Sequence, residues 1–153
     1  MTITLNPDEI KQVNVALSPV SAIPVAVVMQ GVNIRDITSG EGAGDPGAGP
    51  VTIPLGHAIH PMPHGVNNTD TEVMFDLHCW CVAPSGKKAG ELYIPLYNKP
   101  KTEGVLPGGG FDGGGVDFVL DETGIWHYIE KIEFLPESPV VPVVEGDWPI
   151  TVV

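Results

Sequence analysis

Apolar residues recur along this chain at every second position in short bursts, separated by glycine, proline or acidic turns. From Glu72 to Val82, Val73, Phe75, Leu77, Cys79 and Cys81 fall on one face of an extended chain; Met74, Asp76, His78, Trp80 and Val82 fall on the other. APSGKKAG then supplies a turn and ELYIPLYN returns, so residues 72–98 read as a β-hairpin. Ala22 to Ile37 reads as a strand broken at Gly31, with Val32 and Ile34 resuming the alternation. VTIPL at 51–55 is a short strand that Pro54 assigns to a sheet edge. VDFVL leads through DETG into IWHYIEKIEF, whose change of phase near Glu130–Lys131 predicts a bulge. VVPVVEGDWPITVV ends the chain as one or two edge strands.

Between these strands lie stretches that the pattern assigns to loops. Residues 39–50 (SGEGAGDPGAGP) and about 104–115, which include PGGGFDGGG, are too rich in glycine to pack and are expected to be flexible. HAIHPMPHG, from His57, reads as a proline-stiffened loop entering the Glu72–Val82 strand. ITLNPDEIKQVNVAL, near the start, admits two readings. Asn6-Pro7-Asp8-Glu9 has the form of a helix start, whereas Val13, Val15 and Leu17 alternate at period two and favour strand–turn–strand. Nine or ten short strands without a convincing long helix predict an all-β chain, residues 1–153 forming one antiparallel β-sandwich.

Two stretches resemble immunoglobulin-like domains. In one, L-x-P-x-E leads into alternating valines, here Leu5, Pro7, Glu9, Val13 and Val15. The other, FVLDETGIWHYIEKIEF, is similar to a late hairpin in which an acid-x-Gly turn precedes an aromatic strand. The resemblance implies an immunoglobulin-like sandwich with long Gly/Pro-rich loops. The paired inter-sheet cysteines of antibody domains are absent, because Cys79 and Cys81 share one strand.

Composition narrows the functions. With 42% hydrophobic and 17% charged residues the chain can bury a core and is not of disordered composition. A formal charge of −12 leaves no patch able to neutralise phosphates, which excludes nucleic acid and disfavours anionic membranes. The start, MTITLNPDEIKQ, lacks the basic and apolar regions of a signal peptide, so cytoplasmic synthesis with reduced cysteines is expected. Cys79 and Cys81 are poor partners for each other, since residues i and i+2 of a strand stand about 6.6–7 Å apart.

The candidate chemistry is concentrated in one place. His57, His60, His64, His78, Cys79 and Cys81 include donors suited to zinc or copper. Against a metal site, the cysteines share a face with Val73, Phe75 and Leu77, and their spacing fits no established zinc pattern. Blue-copper and cupin spacings fail as well. There is no G-x-S-x-G turn and no phosphate loop, and Asp121-Glu122 lies in an apparent turn, so no catalytic residue is assigned. Trp80, Phe111, Trp126 and Trp148 are the candidate interaction residues. Trp80 either faces outward, opposite the cysteines, or occupies the core itself.

The expectation is therefore a non-enzymatic structural or interaction protein without a cofactor. It would dock through loops and edge strands on other protein subunits, in a larger assembly or a homo-oligomer. In this it resembles small immunoglobulin-like accessory or decoration proteins of viral (phage) particles, which implies a place on a virion. Two alternatives stand beside it. One is a zinc- or copper-binding sandwich using the His57–Cys81 cluster; the other is a carbohydrate-binding module with tryptophans on one exposed face.

Overall fold

The period-two alternation becomes eleven strands in a computed structural model that describes residues 25–95 and 104–153. In chain order they are β1 (Val27–Asp36), β2 (Glu41–Gly44), β3 (Val51–Ile53), β4 (Ala58–Asn67), β5 (Phe75–Val82) and β6 (Lys88–Pro95). There follow β7 (Gly110–Asp112), β8 (Phe118–Val119), β9 (Gly124–Phe134), β10 (Val143–Val144) and β11 (Gly146–Val152). No helix occurs among the described residues. The Leu5–Val15 pattern lies outside them.

The strands form two sheets packed as a β-sandwich. The first runs β10–β1–β4–β7, with β2 also on β1 and β8 also on β4; the second runs β3–β11–β9–β5–β6. Pairing is antiparallel except for β1–β10 and β3–β11. Between the sheets lie Val27, Val32 and Ile59 of the first and Phe75, Leu77, Cys79, Cys81, Trp126, Tyr128 and Ile150 of the second, each at most 1% exposed. Burial of side chains such as Phe75, Leu77 and Ile59 contributes about 2 kcal/mol each. The cysteine face of β5 is thus the core face, and Trp80 points away from it.

The hairpin expected at 72–98 is β5–β6, and β3 stands at a sheet edge. The interruption near Gly31 is a register shift in β1 between Met29 and Gly31. Other expectations are corrected. HAIHPMPHG is no loop: it supplies most of β4, which lies inside the first sheet. Its prolines are tolerated for a local reason. The Pro63 and Asn67 carbonyls accept bonds from Gly113 and Gly108, on the side away from β1. By strand alternation Pro61 and Pro63 both turn their nitrogens to that side. There β8 pairs only with residues 58–59 and β7 only with 64–66, so neither proline has a ladder bond to lose.

The glycine-rich stretches also hold structure. Residues 41–44 pair with β1 as β2, and 110–112 pair with β4 as β7. Asp45 ties down the turn after β2, its carboxylate accepting from the Val32 and Gly47 amides at 3.1 and 2.7 Å and from His64 Nε2 at 2.8 Å. The bulge expected at Glu130–Lys131 is absent: β9 keeps register with both neighbours, and Glu130 occupies a core position. A carboxylate in an apolar row had imitated a change of phase. The DETG turn does not close a hairpin either, since β8 belongs to the first sheet and β9 to the second. Finally β11, expected at an edge, lies between β3 and β9.

Candidate functional site

The β5–β6 hairpin builds an aromatic cluster on the outer face of the second sheet, with Tyr93 exposed and His78 and Trp80 half-buried. Its turn is closed by the Gly86 amide on the Ala83 carbonyl and the Ala83 amide on the Lys87 carbonyl, both at 2.8 Å. Beyond the turn the register shifts between Cys79 and Cys81, so that β6 carries an extra residue opposite Trp80. Gly90 sits in this bulge at φ 63, its α-carbon turned toward the Phe118 ring. Alternation then directs His78 and Trp80 of β5, Glu91 and Tyr93 of β6, and Lys131 and Glu133 of β9 to the outer face.

On that face the rings form one cluster. His78 stacks on Tyr93, its partner in register, with centroids 4.0 Å apart and planes 9° apart. His78 and Trp80 stand 4.6 Å apart, and Lys88 Nζ lies 4.5 Å from the centre of a Trp80 ring. His78 Nε2 is 2.9 Å from Glu91 Oε1, and its Nδ1 is 3.7 Å from Glu133. Tyr93 is 54% exposed, so a large share of its ring remains open to a ligand. Desolvation, then the Glu133 and Glu91 carboxylates, push its phenol above the ordinary range, so the hydroxyl stays protonated and can both donate and accept. Aromatic faces beside mixed carboxylate and ammonium groups can hold an amphipathic polar ligand. They offer no activated nucleophile.

The six candidate metal ligands are divided by the fold. His60 and His64 lie on β4 of the first sheet and His57 just before it, while His78, Cys79 and Cys81 lie on β5 of the second. His78 faces outward and both cysteines face the core. Each of the five histidines instead stands beside a carboxylate: His57 with Asp36, His60 with Asp117, His64 with Asp45, His78 with Glu91 and His127 with Asp147, at 2.6–2.9 Å. Among the described residues no three His, Cys, Asp or Glu side chains are grouped so as to hold a metal ion. Burial pushes the Cys79 thiol up to about 12, and raises that of Cys81 as well.

Of the candidate contact aromatics, only Trp80 lies on an outer face. Phe111 packs edge-on against Phe75 at 5.1 Å, and Trp126 is fully buried, donating from Nε1 to the Glu122 carbonyl. Trp148 packs against the core and donates to Glu130. A contact role is withdrawn for Trp126 in particular, which has no accessible surface.

No family model and no curated protein matches the chain. Twenty-two chains of solved structures do match. One of them, the C-terminal domain of Wzt, aligns over 80% of this chain and 70% of its own length, with a TM-score of 0.48 and 11% identity.

Sequence reading missed Tyr93, Lys88, Glu91 and Glu133. The alternation of ELYIP carries Glu91 and Tyr93 to one face, but their placement beside His78 and Trp80 depends on the bulge at Gly90. Nothing in the composition of that turn reveals it.

Proposed function

We propose that this chain is a non-enzymatic binding domain that recognises a carbohydrate on the outer face of β5 and β6. The observation that carries the reading is the continuous Trp80–His78–Tyr93 cluster on a rigid sheet, bordered by Lys88, Glu91 and Glu133. A sugar ring has an apolar C–H face and hydroxyl edges, and this surface offers a partner to each. The balance of carboxylates and ammonium groups favours a neutral sugar over a strongly charged ligand. Tyr93, rather than a second tryptophan, accompanies Trp80. This surface, aromatic rings bordered by hydrogen-bonding groups, favours a sugar over the narrower expectation of an accessory protein docked on a viral particle.

Titration with neutral oligosaccharides, followed by tryptophan fluorescence and amide chemical shifts, tests the reading. Saturable shifts centred on Trp80 and Tyr93 are expected, and Trp80→Ala or Tyr93→Ala should remove them while cooperative unfolding persists. A panel of neutral oligosaccharides that leaves these resonances unmoved at millimolar concentration would sink the proposal.

A further inference from the structure

A second surface, on the opposite sheet, is organised around Arg35, the one arginine in the sequence. In a chain of net charge −12 it has no carboxylate within ion-pairing distance among the described residues. Arg35 is exposed on the outer face of β1, two positions from Asn33 and in register with His60 of β4. On its other side β2 places Gly42 in register with it. Gly42 does not have a left-handed backbone, and a Cβ there would meet nothing within 4 Å. Neither conformation nor packing requires glycine at this position. The missing side chain leaves the guanidinium facing open space. Two shallow grooves, of about 580 and 360 Å³, adjoin there and share Arg35 and Met62 in their walls. His60 Nδ1 is held by Asp117 Oδ1 at 2.6 Å, so the ring is oriented and its Nε2 remains available among the described residues.

We infer that this groove binds a carboxylate-bearing sugar, a unit of the uronic-acid type. The planar guanidinium presents paired N–H groups that match a carboxylate. The Asp117 carboxylate beside His60 adds a negative charge that weighs more heavily against a dianionic phosphate than against a monoanion. Asn33 and His60 supply hydrogen-bonding groups for hydroxyls, and Met62 supplies an apolar wall for a C–H face. The groove is open and partly polar; an acyl chain would need an enclosed apolar pocket. This site lies on the first sheet and the aromatic cluster on the second, so the inference stands independently of the function proposed above.

The test uses the full chain and amide chemical shifts, with glucuronate as probe and glucose, glucose 6-phosphate and acetate as comparators. Glucuronate is expected to shift Asn33, Arg35, Gly42 and His60 saturably, and to bind more tightly than glucose by roughly tenfold or more. Arg35→Gln removes the guanidinium, and Gly42→Tyr fills the groove without a backbone penalty. Both should abolish the glucuronate response while the variants still unfold cooperatively, with a midpoint no lower than that of the native sequence. The inference is overturned if glucuronate moves none of these resonances, or if its effect survives Gly42→Tyr in a folded variant. Acetate binding as well as glucuronate would overturn the sugar assignment, and tighter binding of glucose 6-phosphate would overturn the carboxylate.

Discussion

Glu130 of β9 stands in register with Cys79 of β5, both side chains face the space between the sheets, and the Trp148 indole donates to the Glu130 carboxyl at 3.0 Å. The other carboxyl oxygen, Oε1, has no hydrogen-bond partner. Burial is the main cause that pushes this acid up to about 8; the Trp148 bond opposes the rise and the Asp45 charge adds to it. The native state therefore holds the Glu130 proton more tightly than the unfolded chain does. The stability this group contributes is fully present below about 4.5 and is lost as the pH rises through about 8, by an amount on the order of 5 kcal/mol. Urea midpoints measured between those limits should fall for the native sequence, with Glu130→Gln removing most of the slope. Parallel curves for the two proteins would mean that Glu130 titrates in the folded state as it does in the unfolded chain.

Cys79 and Cys81 are expected to be chemically silent while the fold is intact. Both are buried on the core face, and their thiols are held protonated by desolvation. Iodoacetamide at neutral pH should label neither in native buffer and both in denaturant. Replacing either by alanine leaves a small cavity and should cost about 1–2 kcal/mol. Rapid native labelling of Cys79 would place it at a mobile edge instead of in the core.

How far the fold was legible follows from what alternation can and cannot encode. The Val73–Cys81 row was readable because each core position carries an apolar side chain and each intervening position a larger or polar one. At β4 the same period exists, in Ile59, Pro61, Pro63 and Gly65, but proline signals a loop to any local rule. Only the gap between β7 and β8, a fact about segments 50 residues further along the chain, makes prolines compatible with that strand. Glu130 misled for the opposite reason, since a charged type at a core position looks like a slip of register. The candidate sites are harder still. Alternation set Trp80 opposite the cysteines but left open which of the two faces is buried, and its contact with Lys88 and the pairing of Arg35 with Gly42 and His60 are matters of register between strands.

Asp36 and His57 predict the behaviour at acid pH. Burial would raise the Asp36 carboxyl, but the hydrogen bond from His57 at 2.7 Å, the hydrogen bonds from Ser39 and the His57 charge outweigh it and hold the acid at about 2. The stability it contributes is present above about 3.8, the ordinary value, and is lost as the pH falls through about 2. Acid titration followed by circular dichroism should show Asp36→Asn losing less stability over this interval than the native sequence. An identical acid limb in the variant would show that the His57 and turn bonds do not discriminate between the two protonation states.

Two glycines on the outer strands should respond oppositely to alanine. At Gly90 the φ of 63 lies in the left-handed region, and a Cβ would come within 2.4 Å of the Phe118 ring. Gly90→Ala must therefore strain the bulge and displace an aromatic side chain packed against the core, at a cost of about 1–3 kcal/mol. Because the bulge sets Trp80 against Lys88 and His78 against Tyr93, the same change should also disturb the Trp80 fluorescence environment in the folded protein. At Gly42, where the backbone is not left-handed and no atom approaches within 4 Å, alanine should be neutral or add about 0.4–1 kcal/mol by restricting the unfolded chain. Equilibrium unfolding of the two variants side by side decides the matter. Equal effects at both positions would mean that the bulge opposite Trp80 relaxes freely, and the aromatic cluster would then lack the rigid support that sugar recognition requires of it.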